Sequence, residues 1–179
     1  LNIKTIERLG ISAVIMEDKI GLKKNSLLTD TSSQSQESIG VFSEKIRTAK
    51  MNQQSSDFMV IARIESFILG KGIDDALLRA KSYVDSGSDA IMIHSKKDQP
   101  NEIFDFSQKF KNEFKDIPLV CVPSTYSSVK ETELIENGIN IVIYANHLFR
   151  AAYPAMVKTA ESILTNERSK EIEDKLTSI

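Results

Sequence analysis

Three times along the chain, a polar amphipathic stretch ends in a glycine and a short run of β-branched, apolar residues starts directly behind it. The copies read Gly10-Ile-Ser-Ala-Val-Ile-Met-Glu17-Asp18, Gly87-Ser-Asp-Ala-Ile-Met-Ile-His94-Ser95 and Gly138-Ile-Asn-Ile-Val-Ile-Tyr-Ala145-Asn146. Glycine tolerates the left-handed backbone that closes a helix, and a continuous Val/Ile run suits a strand covered on both faces. Each copy therefore predicts helix, glycine cap, buried strand. Phe58 to Ile64, and Leu119 to Val122 behind Pro118, fit the same series without the glycine.

Between these runs the apolar positions switch to helical spacing: Phe42, Ile46 and Ala49; Ala76, Leu77, Ala80, Tyr83 and Val84; Ile103, Phe106, Phe110 and Phe114. Ser128-Val-Lys-Glu131 reads as a capping box before a short helix, and Pro100 fits the first turn of the Phe-rich helix. A last long helix is expected from about Phe149 to Leu164, with Ala152, Met156, Ala160 and Ile163 on one stripe and a charged tail, Glu167 to Lys175, behind it. An opening helix and five strand-plus-helix units in strict alternation build a parallel sheet with helices outside.

A complete (β/α)₈ barrel takes about 250 residues. Five units leave either an open, doubly wound sheet or a barrel whose first three units are absent from this chain. The opening Leu1 to Gly10 reads as the tail of a preceding unit's helix and favours the barrel. Asp18 to Glu37, rich in Ser, Gln, Thr, Lys and Gly and without apolar period, is long for a βα connection and reads as a lid or a disordered span.

Composition narrows the function classes. The 179 residues are 41% apolar and 27% charged with a net charge of −2, and no basic run offers a track for nucleic acid. No apolar run approaches the roughly 20 residues that span a bilayer, so a soluble, cytoplasmic protein is expected. Cys121 alone closes no internal disulfide, and its place in mid-strand suits a small buried apolar group.

Register gives the candidate site. Seven residues beyond each glycine stand Glu17, His94 and Ala145, on one face of their strands and at the carboxyl ends, where parallel α/β folds bind ligands. Arg63 and Glu65 end the second strand, and Asp18, Ser95, Ser124 and Asn146 lie at the same rim. Arg63 follows a buried run and needs an anion, either Glu17 or Glu65 or a ligand. His94 is open between a structural hydrogen bond and a ligand contact, and His147 leans to the structural side. Lys23, Lys24, Asn25 and Ser26 are either a polar loop or a mobile clamp over phosphate. Glu17, Arg63 and His94 suit a metal-assisted anion site better than a nucleophilic triad, and one carboxylate is too few to bind Mg²⁺.

These residues carry a resemblance. Glu17-Asp-Lys with Lys23-Lys-Asn-Ser26, Ala62-Arg-Ile-Glu-Ser-Phe-Ile68, Gly87-Ser-Asp-Ala-Ile-Met-Ile-His-Ser-Lys96, Val122-Pro-Ser-Thr-Tyr126 and Tyr144-Ala-Asn-His-Leu-Phe-Arg-Ala-Ala152 resemble, in order, the phosphoenolpyruvate mutase group of the isocitrate lyase superfamily. The resemblance implies a modified (β/α)₈ TIM barrel of which this chain, a single domain over residues 1–179, carries strands four to eight. It implies a gating loop at Asp18 to Glu37, and a C-terminal region from Phe149 to Ile179 exchanged between the subunits of a homodimer or homotetramer. It further implies Mg²⁺ as cofactor with Glu17 in its carboxylate set through water, Arg63 and His94 on the substrate, and Lys23, Lys24, Asn25 and Ser26 on the gating loop, with Asn25 reaching the migrating phosphoryl group. The implied reaction interconverts phosphoenolpyruvate and 3-phosphonopyruvate.

Lyases of the superfamily carry a Lys-Lys-Cys-Gly-His type of segment where this chain has Lys-Lys-Asn-Ser, which disfavours carbon–carbon cleavage. Phosphonopyruvate hydrolase, giving pyruvate and phosphate, is the alternative, and Asn25 favours the mutase over it. A non-catalytic, barrel-derived anion-binding module is the second alternative. Ser124 departs mildly from the group's usual Val-Pro-Thr-x-Tyr. The aspartates that bind Mg²⁺ directly in the group belong to its first three strands, so these 179 residues are expected to be inactive alone.

Overall fold

The computed structural model describes residues 3–21 and 34–178; Lys23, Lys24, Asn25 and Ser26 lie outside them. The elements run α1 (Ile3–Arg8), β1 (Ala13–Glu17), β2 (Lys19–Ile20), β3 (Ser35–Gln36), α2 (Ile39–Asn52), β4 (Met59–Ile64), α3 (Gly72–Asp85), β5 (Ala90–Ile93), α4 (Asn101–Glu113), β6 (Leu119–Cys121), α5 (Glu131–Glu136), β7 (Ile141–Val142) and α6 (His147–Asn166). Two compact units result, residues 1–143 and 144–179.

In the first unit β1, β4, β5, β6 and β7 form one parallel sheet in that spatial order. Chain order equals spatial order among these strands, which is the order of a barrel wall; a doubly wound sheet reverses direction at a switch point. All five predicted strands are present. The glycine caps also hold: Gly138 has φ +80°, and a Cβ there would stand 3.1 Å from Ser107 Oγ, so both backbone conformation and space require glycine.

The two faces of the sheet do different work. On the helix side, Ala62, Ile64, Ile91, Ile93, Leu119 and Cys121 pack against Phe42 and Ile46 of α2, Ala80 and Tyr83 of α3, and Phe106 and Phe110 of α4 as one buried cluster. Phe106, Phe110 and Phe114 stack at 5.7 and 5.1 Å. Burial pushes the Cys121 thiol up to about 11, so it is a packed apolar group. The opposite face carries Ala13, Ile15 and Glu17, then Ile61 and Arg63, then Ala90, Met92 and His94.

Several local expectations are corrected. Asp18 to Glu37 is not irregular throughout: β2 and β3 pair antiparallel, Lys19 with Gln36 and Ile20 with Ser35, at the base of the segment. A two-residue ladder leaves no readable alternation. Helix α5 is capped at Lys130, whose N–H donates to Glu133 Oε1 at 3.3 Å, and not at Ser128. Ser128 sits in the turn that Val129 closes by donating to the Tyr126 carbonyl at 3.3 Å. In the second unit α6 is longer than expected, contains Pro154, and buries none of its residues, the stripe of Ala152, Met156, Ala160 and Ile163 included. Ala145, Asn146 and His147 belong to this unit, with Asn146 left-handed at φ 62° ahead of the helix.

Candidate active site

Parallel pairing puts Glu17 of β1 directly beside Arg63 of β4, and Arg63 beside Met92 of β5, two residues before His94. Because side chains alternate along a strand, Glu17, Arg63 and His94 share one face at the carboxyl end of the sheet. Arg63 is paired twice: Nη2 lies 3.0 Å from Glu17 Oε1, and Nε donates to Glu65 Oε1 at 2.6 Å. Within the chain the guanidinium thus has both carboxylates, Glu17 and Glu65, as partners.

Two members of this cluster, Lys19 and the central role of Glu65, were not legible. Lys19 Nζ reaches Glu65 Oε2 at 3.2 Å, Glu17 Oε1 at 3.7 Å and Gln34 Oε1 at 3.1 Å. The Glu65 side chain is fully buried between the two cations. The signal in the sequence was an acid two residues beyond an arginine that ends a buried strand, but nothing there said that Lys19 folds back onto it. Two acids and two bases make this cluster electrically balanced, so Arg63 is held in place without gathering excess charge.

His94 is 4% exposed, and its buried Nδ1 has no hydrogen-bond partner among the described residues. Burial, seconded by the Arg63 and Lys19 cations, lowers its pKa from 6.5 to about 4, against a weaker opposing pull from Glu65. The imidazole is neutral at physiological pH and works as a hydrogen-bonding group. A base whose folded pKa is depressed costs stability on acidification: the unfolded chain takes up a proton below pH 6.5, and the folded chain does so only near pH 4. Unfolding free energy should therefore fall by on the order of 3 kcal/mol between pH 7 and pH 4 on account of His94. Urea titrations across that range check this, and His94→Gln should remove most of that component of the slope.

Asp18, placed at the rim by the sequence, is fully buried instead. Its carboxylate accepts from the Glu65 N–H at 3.0 Å, Gln36 Nε2 at 2.8 Å, Tyr83 Oη at 2.9 Å and Arg79 Nη1 at 3.2 Å. Ser95 is likewise buried and donates to Glu102 Oε1, while Ser124 is half-buried in a bend.

Among the described residues no group of three or more His, Cys, Asp or Glu is placed to hold a metal ion. Glu17 Oε1 is buried and, among the described residues, lacks a hydrogen-bond donor despite its proximity to Arg63. Such an oxygen fits an outer place, accepting from water on a divalent cation whose direct ligands lie elsewhere.

The sequence model of the phosphoenolpyruvate phosphomutase family matches residues 1–164. The chain belongs to that family. It is 40% identical to the phosphoenolpyruvate phosphomutase of Tetrahymena pyriformis over 99% of its own length and 58% of that protein's. It superposes on the crystal structure of the phosphoenolpyruvate phosphomutase of Streptomyces platensis subsp. rosaceus with a TM-score of 0.91 and 39% identity, covering 98% of this chain and 60% of that one. A phosphonopyruvate hydrolase crystallised with oxalate and Mg²⁺ follows, with a TM-score of 0.86, 34% identity, and 99% of this chain and 59% of that one covered. The chain thus spans about three-fifths of the length of the proteins it matches. Among the described residues, no helix is long and apolar enough to cross a membrane.

Proposed function

We propose that the protein interconverts phosphoenolpyruvate and 3-phosphonopyruvate with Mg²⁺, in the cytoplasm and as a homodimer or homotetramer. The observation that carries this is the register that sets Glu17, Arg63 and His94 side by side at the sheet's carboxyl end in a member of this family. In the forward direction the O–P bond of phosphoenolpyruvate breaks and a C–P bond forms within the same molecule, without a net proton. Phosphoryl groups pass through loose, metaphosphate-like states, so catalysis consists of positioning and charge stabilisation.

Arg63 supplies planar guanidinium donors, pre-oriented by Glu65 and Glu17, for phosphoryl or carboxylate oxygens. Neutral His94, at the end of β5 on the same face, offers its imidazole as a hydrogen-bond donor to a substrate oxygen. Glu17 would help hold Mg²⁺ through water, and the cation would supply charge neutralisation for the substrate oxygens. Because the Glu17–Lys19–Arg63–Glu65 cluster is charge-balanced, Lys23 and Lys24 are this chain's further cations for attracting a multiply charged substrate.

Resemblance to a phosphonopyruvate hydrolase keeps hydrolysis as the second reading, and Asn25 favours the mutase. Phosphorus NMR of the full-length protein with phosphonopyruvate and Mg²⁺ separates them: phosphoenolpyruvate should appear. Pyruvate with free phosphate would make it the hydrolase, and no turnover with no Mg²⁺ effect on melting would make it a binding module. In Asn25→Ala the interconversion should drop by about a hundredfold, as expected for the loss of one transition-state donor.

A further inference from the structure

Asp18 lies next to Glu17 in sequence, yet its side chain turns away from that cluster and is wholly buried. Its backbone and side chain grip the end of β4 from both sides. The Asp18 N–H donates to the Arg63 carbonyl at 3.1 Å, while Asp18 Oδ1 accepts the Glu65 N–H at 3.0 Å. The other carboxylate oxygen is fixed by Arg79 and Tyr83, one turn apart on α3, and by Gln36. Arg79 Nε is itself oriented by Asp75, which also accepts from Ser66, the residue after Glu65. The backbone at Glu65 is therefore tied on both sides to one rigid helix.

That backbone decides where the Glu65 carboxylate stands. With no exposed surface, Glu65 cannot relax toward solvent, and its Oε1 accepts from Arg63 Nε at 2.6 Å, closer than the 3.0 Å between Arg63 Nη2 and Glu17 Oε1. A displacement of the Glu65 N–H would be passed to Arg63 through a single rigid ion pair. We infer that Asp18 is a positioning residue for Arg63, acting through Glu65 by locking the peptide that carries it onto α3. The inference rests on the assignment of Arg63 to substrate binding made above. Nothing in it requires Asp18 to touch substrate.

The test is Asp18→Asn in the full-length protein. Asn keeps the shape and an acceptor for the Glu65 N–H but turns a donor toward Arg79, Tyr83 and Gln36. Two quantities are read: kcat and KM for phosphonopyruvate by phosphorus NMR, and hydrogen exchange at Arg63 Nε–H by ¹⁵N NMR, assigned with Arg63→Lys. Expected are a fall in kcat of at least about tenfold, since misplacement by about 1 Å can cost a hundredfold, and exchange at Arg63 Nε–H faster by a similar factor. Unchanged exchange in a folded variant overturns the inference. Should Asp18→Asn not fold, Tyr83→Phe, which deletes one donor to the same carboxylate, decides by the same two readings with smaller changes in the same direction. Asp18→Glu should not rescue kcat, because the longer side chain pushes the Glu65 peptide away. If the wild-type protein shows no interconversion, the functional reading fails, and the exchange rate alone still decides the role of Asp18.

Discussion

Replacing Arg63 with Ala is expected to lower the proposed turnover of phosphonopyruvate by the complete protein by about three orders of magnitude. It also removes the Nε–H donor to Oε1 of Glu65, a carboxylate with no exposed surface. Glu65 would be left with Lys19, and Glu17 Oε1 with a cation 3.7 Å away. Breaking one side of a buried ion pair costs about 3–5 kcal/mol, so the activity loss must be measured where urea denaturation shows the variant folded. Arg63→Lys separates the two effects. It keeps the charge near Glu17 but loses the planar fork and the Nε–H that Glu65 accepts, so stability should recover more than activity does. Wild-type kinetics from a folded Arg63→Ala protein would remove the anchor of the functional assignment.

Arg79→Met is expected to be the most destabilising change outside the candidate site, by about 3–5 kcal/mol at pH 7.5. The guanidinium, 4% exposed, donates to Asp18, Asp75, the Glu37 carbonyl and Tyr83 Oη at 2.9–3.2 Å. Its loss leaves Asp18 as a fully buried acid without a cation. Burial already raises the Asp18 pKa against the opposing effects of Tyr83, Gln36, the Glu65 N–H and Arg79, and removing Arg79 raises it further. A carboxyl that holds its proton more tightly when folded is stabilised on acidification. The stability gap between wild type and Arg79→Met should therefore narrow from pH 8 to pH 5, whereas the His94 contribution changes both proteins alike. Adding Asp18→Asn to Arg79→Met should restore part of the loss, since the uncompensated charge is then gone. A gap that is constant with pH and additive in the double variant would show that the two residues are not coupled.

The strands and helices of the first unit were readable because each is specified locally. The Val/Ile runs of β4 and β5 are covered on both faces, whereas β1 and β7, with Ile15 and Ile141 exposed, are not; the cap glycines Gly10, Gly87 and Gly138 all take the left-handed backbone, and the Phe spacing of α4 repeats every three or four residues. Ser128 misled because a capping box is a four-residue pattern, and the Tyr126–Val129 turn shifts the helix start by two residues. The exposed stripe of α6 shows the same limit: periodicity reveals an apolar face and says nothing of what covers it.

Alternation along the strands was enough to set Glu17, Arg63 and His94 on one side of the sheet, because facing depends only on parity within a strand once the strands are parallel. What parity cannot supply is the third dimension. That Lys19 turns back onto Glu65, and that Asp18 points into α3 while its neighbour Glu17 points to Arg63, depend on contacts across 46 to 65 positions of chain, and the burial of His94 likewise needs the packed sheet. Those distances in sequence are closed only by the packing of whole elements, so the charge state and the rigidity of the site were decided by the tertiary structure alone.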